Sequence, residues 1–171
     1  MTSELRRRLG ALSFLIGCVG PGLAAEPAPR VAGLVEKVVI GRPGVQFEAK
    51  LDTGADISSI DATHVTRSRR HGRIWMDFTV ERSDGTRVKL SGPLVRHVRI
   101  RRGGAVGNRR PVVALELCVG PIFRIVEVSL ANREGLDYDL LVGTNFLKGY
   151  FMVDPMRTHV LTPKCTGEAG K

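Results

Sequence analysis

The string Lys50-Leu51-Asp52-Thr53-Gly54-Ala55-Asp56-Ile57-Ser58-Ser59-Ile60 puts a carboxylate, a hydroxyl and a glycine at the end of an alternating apolar run. A carboxylate delivered at a strand end, followed by residues small enough for another backbone to approach, is equipped to act on water as an acid or base. Asp-x-Gly is also an ordinary turn, so the tripeptide alone decides little. A second segment far downstream, Leu140-Leu141-Val142-Gly143-Thr144-Asn145-Phe146-Leu147, takes a buried run into a glycine and a sharp turn. The two segments together are more specific than either. His64, His71, His97 and His159 show no ligand spacing, and no His-Glu-x-x-His occurs, so neither metal nor cofactor is expected and the histidines read as surface or turn residues.

The elements that must hold these residues read as all-β. Short β-branched runs follow one another between Gly, Pro, Asn and Asp: Val31 to Ile40, Val45 to Leu51, Arg73 to Val80, Thr86 to Leu90, and Val95 to Arg101. Pro111 to Val119, Ile122 to Leu130, Leu140 to Val142, Tyr150 to Val153 and His159 to Leu161 complete the series. Such spacing predicts a closed barrel or sandwich of short antiparallel strands with at most one short helix. Phe47-Glu48-Ala49-Lys50-Leu51 and Val126-Glu127-Val128-Ser129-Leu130 alternate strictly, as half-buried strands do. Ser83-Asp84-Gly85-Thr86 is a hairpin turn of the Asp-Gly type, and Gly103 to Asn108 is a looser, glycine-rich one.

Asp52-Thr53-Gly54-Ala55, followed downstream by apolar residues, Gly143, Asn145 and Phe146-Leu147, resembles the retropepsin-like aspartic proteases over about residues 31 to 162. Within them the chain is most similar to a bacterial single-domain family labelled ATP-dependent zinc protease, through Ala49 to Ala55, Arg110 to Val113, and Gly143 to Leu147 leading into Phe151 to Pro155. It departs from that pattern at Asp56, Asp61 and Thr144, where a basic or amide residue, a histidine and an arginine are usual. The resemblance implies an acid-protease half with Asp52, Thr53 and Gly54 as the catalytic group. It makes Ala55, Asp56, Gly103, Gly104, Val142 and Gly143 the substrate-binding residues. It also hints at a link with ATP-grasp peptide ligases.

Hydrolysis by activated water needs one ionised and one protonated carboxylic acid, which two carboxylates about 3 Å apart provide because both cannot ionise together. One Asp-Thr-Gly per chain supplies half of that pair. The expectation is a symmetric homodimer, with Asp52 of each subunit at the twofold axis sharing a proton and holding the lytic water. By resemblance, Thr53 braces the pair and Gly54 admits substrate backbone. A flap should cover the substrate, and the Gly103 to Asn108 hairpin is preferred, leaving the Asp-Gly hairpin to an insertion containing Trp75. The opposing reading is a catalytically silent retropepsin-like peptide-binding module of the cell envelope.

The 171-residue chain carries 26 Lys+Arg against 17 Asp+Glu, is 43% apolar and holds three Cys. That composition excludes a disordered chain and a disulfide scaffold, and no apolar run approaches the ~20 residues of a membrane span. Arg6-Arg7-Arg8, the apolar Leu9 to Val19, Gly20-Pro21-Gly22 and Ala24-Ala25 form the three regions of a secretory signal peptide, residues 1–25. Leu15-Ile16-Gly17-Cys18 reads as a competing lipobox that would anchor the protein through a lipidated Cys18. A linker (26–30), the protease domain (31–163) and a polar tail (164–171) follow, and the expected location is periplasmic or secreted. Outside the cytoplasm Cys118 and Cys165 either pair or remain two thiols. Arginines cluster at Arg67, Arg69, Arg70 and Arg73, at Arg96, Arg99, Arg101 and Arg102, and at Arg109 and Arg110. They read as solvated faces or as attraction to an anionic membrane surface or acidic peptides. Nucleic acid is not expected, because no aromatics interleave with them.

Overall fold

Alternation does most of the building. Strand β2 (Val45–Leu51) buries Phe47, Ala49 and Leu51 and turns Gln46, Glu48 and Lys50 outward, delivering Asp52 just past its last buried residue. A computed structural model describes residues 28–165 apart from 42, 43, 83, 103, 104 and 134, and gives backbone alone at 100–102, 105 and 106. The expected signal peptide, most of the linker, and Gly103 and Gly104 therefore lie outside the described residues.

The other strands are β1 (Arg30–Ile40), β3 (Ser58–Asp61), β4 (Thr63–Arg70), β5 (Arg73–Glu81), β6 (Arg87–Arg102), β7 (Ala105–Val119), β8 (Ile122–Ala131), β9 (Leu140–Val142) and β10 (Phe151–Thr158). A single helical turn, α1 (Thr144–Leu147), precedes β10. The strands form one sheet in the order β10-β1-β2-β9-β3-β8-β7-β6-β5-β4. A further pairing of β1 with β7, Val38 to Ile40 against Val119 to Leu117, curls the run from β1 to β7 into a ring. The protein is thus all-β with one short helix. Most pairings are antiparallel, whereas β1–β10, β2–β9 and β3–β8 are parallel. The ring encloses Val38, Ile40, Leu51, Ile60, Val113, Leu117, Val128, Leu140, Val142 and Phe146.

Several elements differ from the sequence reading for identifiable reasons. Thr86–Leu90 and Val95–Arg101 are parts of one long β6, whose Gly92-Pro93 marks a change of partner: Pro93 lies opposite Trp75 of β5, and Leu94 opposite Val113 of β7. A Cβ on Gly92 would sit 2.9 Å from the Ala114 carbonyl oxygen, so only glycine lets the strand pass so close to β7. β3 is short and serine-rich, and β4 is exposed along almost its whole length, so neither carries a periodic signal. His159 to Leu161 is no strand. The backbone N–H groups of Val160 and Leu161 donate instead to the carboxylate of Glu36, each at 3.0 Å, and Gly33 N–H donates to it at 2.7 Å. Glu36 is fully buried. Cys118 and Cys165 form a disulfide with Cα atoms 6.1 Å apart, which ties the segment after β10 to β7.

Candidate active site

Two loops lie side by side because their strands do. β2 runs parallel to β9 with Leu51 opposite Val142, and Asp52 N–H donates to the Val142 carbonyl at 2.9 Å. One Asp52 carboxylate oxygen accepts Gly54 N–H at 2.9 Å, which fixes the acid within its own turn. Asp52 is half-buried, while Thr53 and Gly54 are exposed.

Gly143 allows the two loops to touch. A Cβ there would stand 2.7 Å from the Ala55 carbonyl oxygen and 2.8 Å from the Ile57 carbonyl carbon, both backbone atoms that cannot yield cheaply. Thr144 donates to the Ala55 carbonyl through its backbone N–H at 2.8 Å and its hydroxyl at 3.2 Å. Asn145 accepts from both the backbone N–H (3.0 Å) and the hydroxyl (2.9 Å) of Ser58, and donates to the Glu127 carbonyl at 2.7 Å. Ser58 in turn accepts Gly143 N–H at 3.0 Å. Arg124 of β8 donates to the carbonyls of Asn145 (3.1 Å) and Phe146 (2.7 Å), with its guanidinium 4.7 Å from the Tyr150 ring. A polar lattice therefore anchors the Asp52 turn to β8, β9 and α1. Fully satisfied networks of this kind rigidify what they hold.

Above the loops runs a groove of about 840 Å³, lined by Gly54 to Ile57 on one side and by Arg96, Val98, Arg99 and Arg110 of the β6–β7 hairpin on the other. Arg124 and Arg133 complete five arginines facing it, against two carboxylates, Asp56 and Glu127. Glu127 is paired with Arg96 at 2.6 Å. Arg133 donates to the Ser59 hydroxyl and the Tyr138 carbonyl. The second and third arginine clusters thus send Arg96, Arg99 and Arg110 into the groove, while Arg67, Arg69 and Arg73 lie exposed on β4 and β5 outside it.

Of the residues named from the sequence, Asp52, Thr53, Gly54, Ala55, Asp56, Val142 and Gly143 share one locus. Ala55 and Asp56 line the groove; Val142 and Gly143 are buried beneath the loop, where Leu141 and Asn145 provide the nearby wall. Arg96, Val98, Arg99 and Arg110 of β6 and β7 line the groove, while of the expected Gly103 to Asn108 turn the first two residues lie outside the described residues and 105–108 belong to β7; none of Asp84, Gly85 and Thr86 lines the groove. Ser58 lies within the Lys50 to Ile60 string but was given no role, and Arg124 and Arg133 lie in no motif that could have marked them. Among the described residues no group of three or more His, Cys, Asp or Glu is placed to hold a metal ion.

A strand-end Asp-Thr-Gly turn braced by a glycine turn and a one-turn helix, on a ring-like all-β domain, defines the retropepsin-like class. The family model described as RimB-like, retropepsin-like aspartic endopeptidase RimB, matches residues 31–164, and the chain belongs to that family. A crystal structure of a Legionella pneumophila protein of unknown function superposes with a TM-score of 0.69 at 31% identity, covering 78% of this chain and 98% of that one. Proteins named probable alpha-L-glutamate ligase are also similar. One from Parasynechococcus marenigrum is 26% identical over 140 residues, 75% of this chain and 30% of its own length. One from Shewanella pealeana is 27% identical over 134 residues, 77% of this chain and 28% of its own. The chain spans less than a third of these curated relatives, none of which carries a zinc-protease name.

Proposed function

We propose that the protein is an exported, homodimeric aspartic endopeptidase that cleaves peptides rich in carboxylate side chains. The observation that carries the reading is the Asp52 turn itself, an acid held by Gly54 N–H and braced by residues 142–145. One such acid per chain needs a second, and a symmetric partner supplies it. With the two carboxylates sharing one proton, the ionised one takes a proton from water as it attacks the scissile carbonyl, and the protonated one donates to that carbonyl oxygen. The departing amine is then protonated and the dyad restored.

The acidic preference rests on charge. Arg99 and Arg110 make no ion pair among the described residues, and they face the same groove as Arg124 and Arg133. An arginine fork receives a carboxylate through paired hydrogen bonds. Likeness to proteins named for glutamate ligation supports the same substrate chemistry. Export is supported by the Cys118–Cys165 bridge, since such bonds persist in oxidising compartments.

The test is digestion of glutamate-rich and neutral peptides by wild type and Asp52→Asn. Wild type should cut the acidic set preferentially, with a bell-shaped dependence on pH, and the variant should lose at least a thousandfold while folding and dimerising normally. Full turnover by the variant would end the mechanism. Binding of acidic peptides without turnover by wild type would leave a peptide-binding module in its place.

A further inference from the structure

A second groove of about 590 Å³ opens beside the first, and nothing in the chemistry above uses it. Its walls are mainly apolar: Val45, Trp75, Leu90, Pro93 and Ala114, with Ile125 at one end. A concavity of several hundred Å³ with aromatic and aliphatic walls is what ligand sites usually offer. Two observations make it continuous with the arginine groove. Ile125 is 60% exposed and lines both. In the β7–β8 register Ala114 of the second groove lies directly opposite Glu127 of the first, so neighbouring residues of one sheet face floor the two.

Trp75, the chain's single tryptophan, is held in place before any ligand arrives. The Arg70 guanidinium lies 5.0 Å over its ring and is itself fixed by an ion pair with Asp77 and a hydrogen bond to Ser91 at 3.2 Å. A large ring already immobilised loses little further freedom on binding, which favours its use as an anchor.

We infer that the Trp75 groove is an accessory substrate site, taking an apolar side chain of the same peptide whose acidic segment occupies the arginine groove. Continuity through Ile125 supports a single occupant. A polypeptide leaving the charged groove in extended form would cross Ile125 and present alternate side chains to this apolar wall. The protein would then select for an acidic stretch flanked by an aliphatic or aromatic residue, and not for acidity alone.

This inference rests on the proposed peptidase reading, and the experiment keeps the two apart. The probes are an acetylated hexaglutamate and the same peptide extended at either end by Gly-Ser-Leu-Phe. Added to the Asp52→Asn protein, an extended peptide should shift Trp75 emission to shorter wavelength and bind at least fivefold tighter than hexaglutamate. With wild type, KM should fall by a similar factor at unchanged kcat, the mark of binding remote from the reacting bond. The extended-to-short ratio, read within each variant, should collapse to one in Trp75→Ala and in Ala114→Leu, the second of which fills the groove without removing a contact. A Trp75 response without turnover would overturn the peptidase reading and leave this one standing. Cleavage with a ratio of one at both ends, a ratio that survives both variants, or an emission shift that follows protein concentration without peptide would overturn the accessory site.

Discussion

Asp139 is a half-buried carboxylate near Asp61, and burial first, then that like charge, raise its pKa above the ordinary 3.8, with Arg133 pulling the other way. The unfolded chain ionises at the lower value, so the folded state loses stability as pH climbs from there through the raised value, and carries the cost at neutrality. Asp139→Asn should therefore raise the melting temperature at pH 7, and the difference should vanish below about pH 3, as thermal scans at both will show. Glu36 is fully buried, and its carboxylate oxygens accept three backbone N–H groups. Glu36→Gln turns an amide toward those donors and should cost about 3 kcal/mol in denaturant titration. Single residues were legible unevenly. Asp52 stood out because an alternating strand points to its own end. Arg96 and Arg99 read as a solvated face or as attraction to an anionic partner, and both are exposed, but nothing in the sequence shows that they line one groove with Arg124 and Arg133. The pairing of β6 with β7 shifts between Leu94 and Arg96 and again between Arg99 and Arg101, so strict alternation does not describe this strand.

Among the elements, the Gly143 turn is the one on which the acid depends. Gly143→Ala drives a methyl into the backbone of Ala55 and Ile57, and should cost about 1–3 kcal/mol together with nearly all turnover. Monitoring folding and peptide cleavage on the same preparation separates the two losses. β2, β8 and β9 were readable, because burial on one face writes a period of two, or a short apolar run, into the sequence. β3 and β4 were not, since a short buried serine pair and an exposed arginine-rich edge leave no such trace. Gly92-Pro93 was taken for a break between strands. Chemically it is punctuation, and only the presence of β7 against it makes it a crossing point.

For the whole molecule, the all-β class was legible, and the family match spans 31–164. The order of strands was not, because spacing along the chain does not say which strand becomes whose neighbour. The ring closes only when β1 meets β7, and the parallel pairs join segments distant in sequence. The disulfide adds one more long closure, linking residues 47 apart. On chain-entropy arithmetic such a loop is worth about 4 kcal/mol, so a reducing agent, or Cys165→Ser, should lower the melting temperature substantially. Mass measurement under non-reducing conditions should find no free thiol at either position.

The separation of 89 residues between Ala55 and Thr144 also bears on when the acid becomes usable. A chain emerging from the ribosome or a translocation pore exposes Asp52 long before the residues that brace it have appeared. Until nearly the last strand arrives the aspartate is an ordinary solvated side chain. On the proposed peptidase reading, the order of synthesis keeps Asp52 without its brace, and without a partner subunit's acid, until nearly the whole domain has emerged.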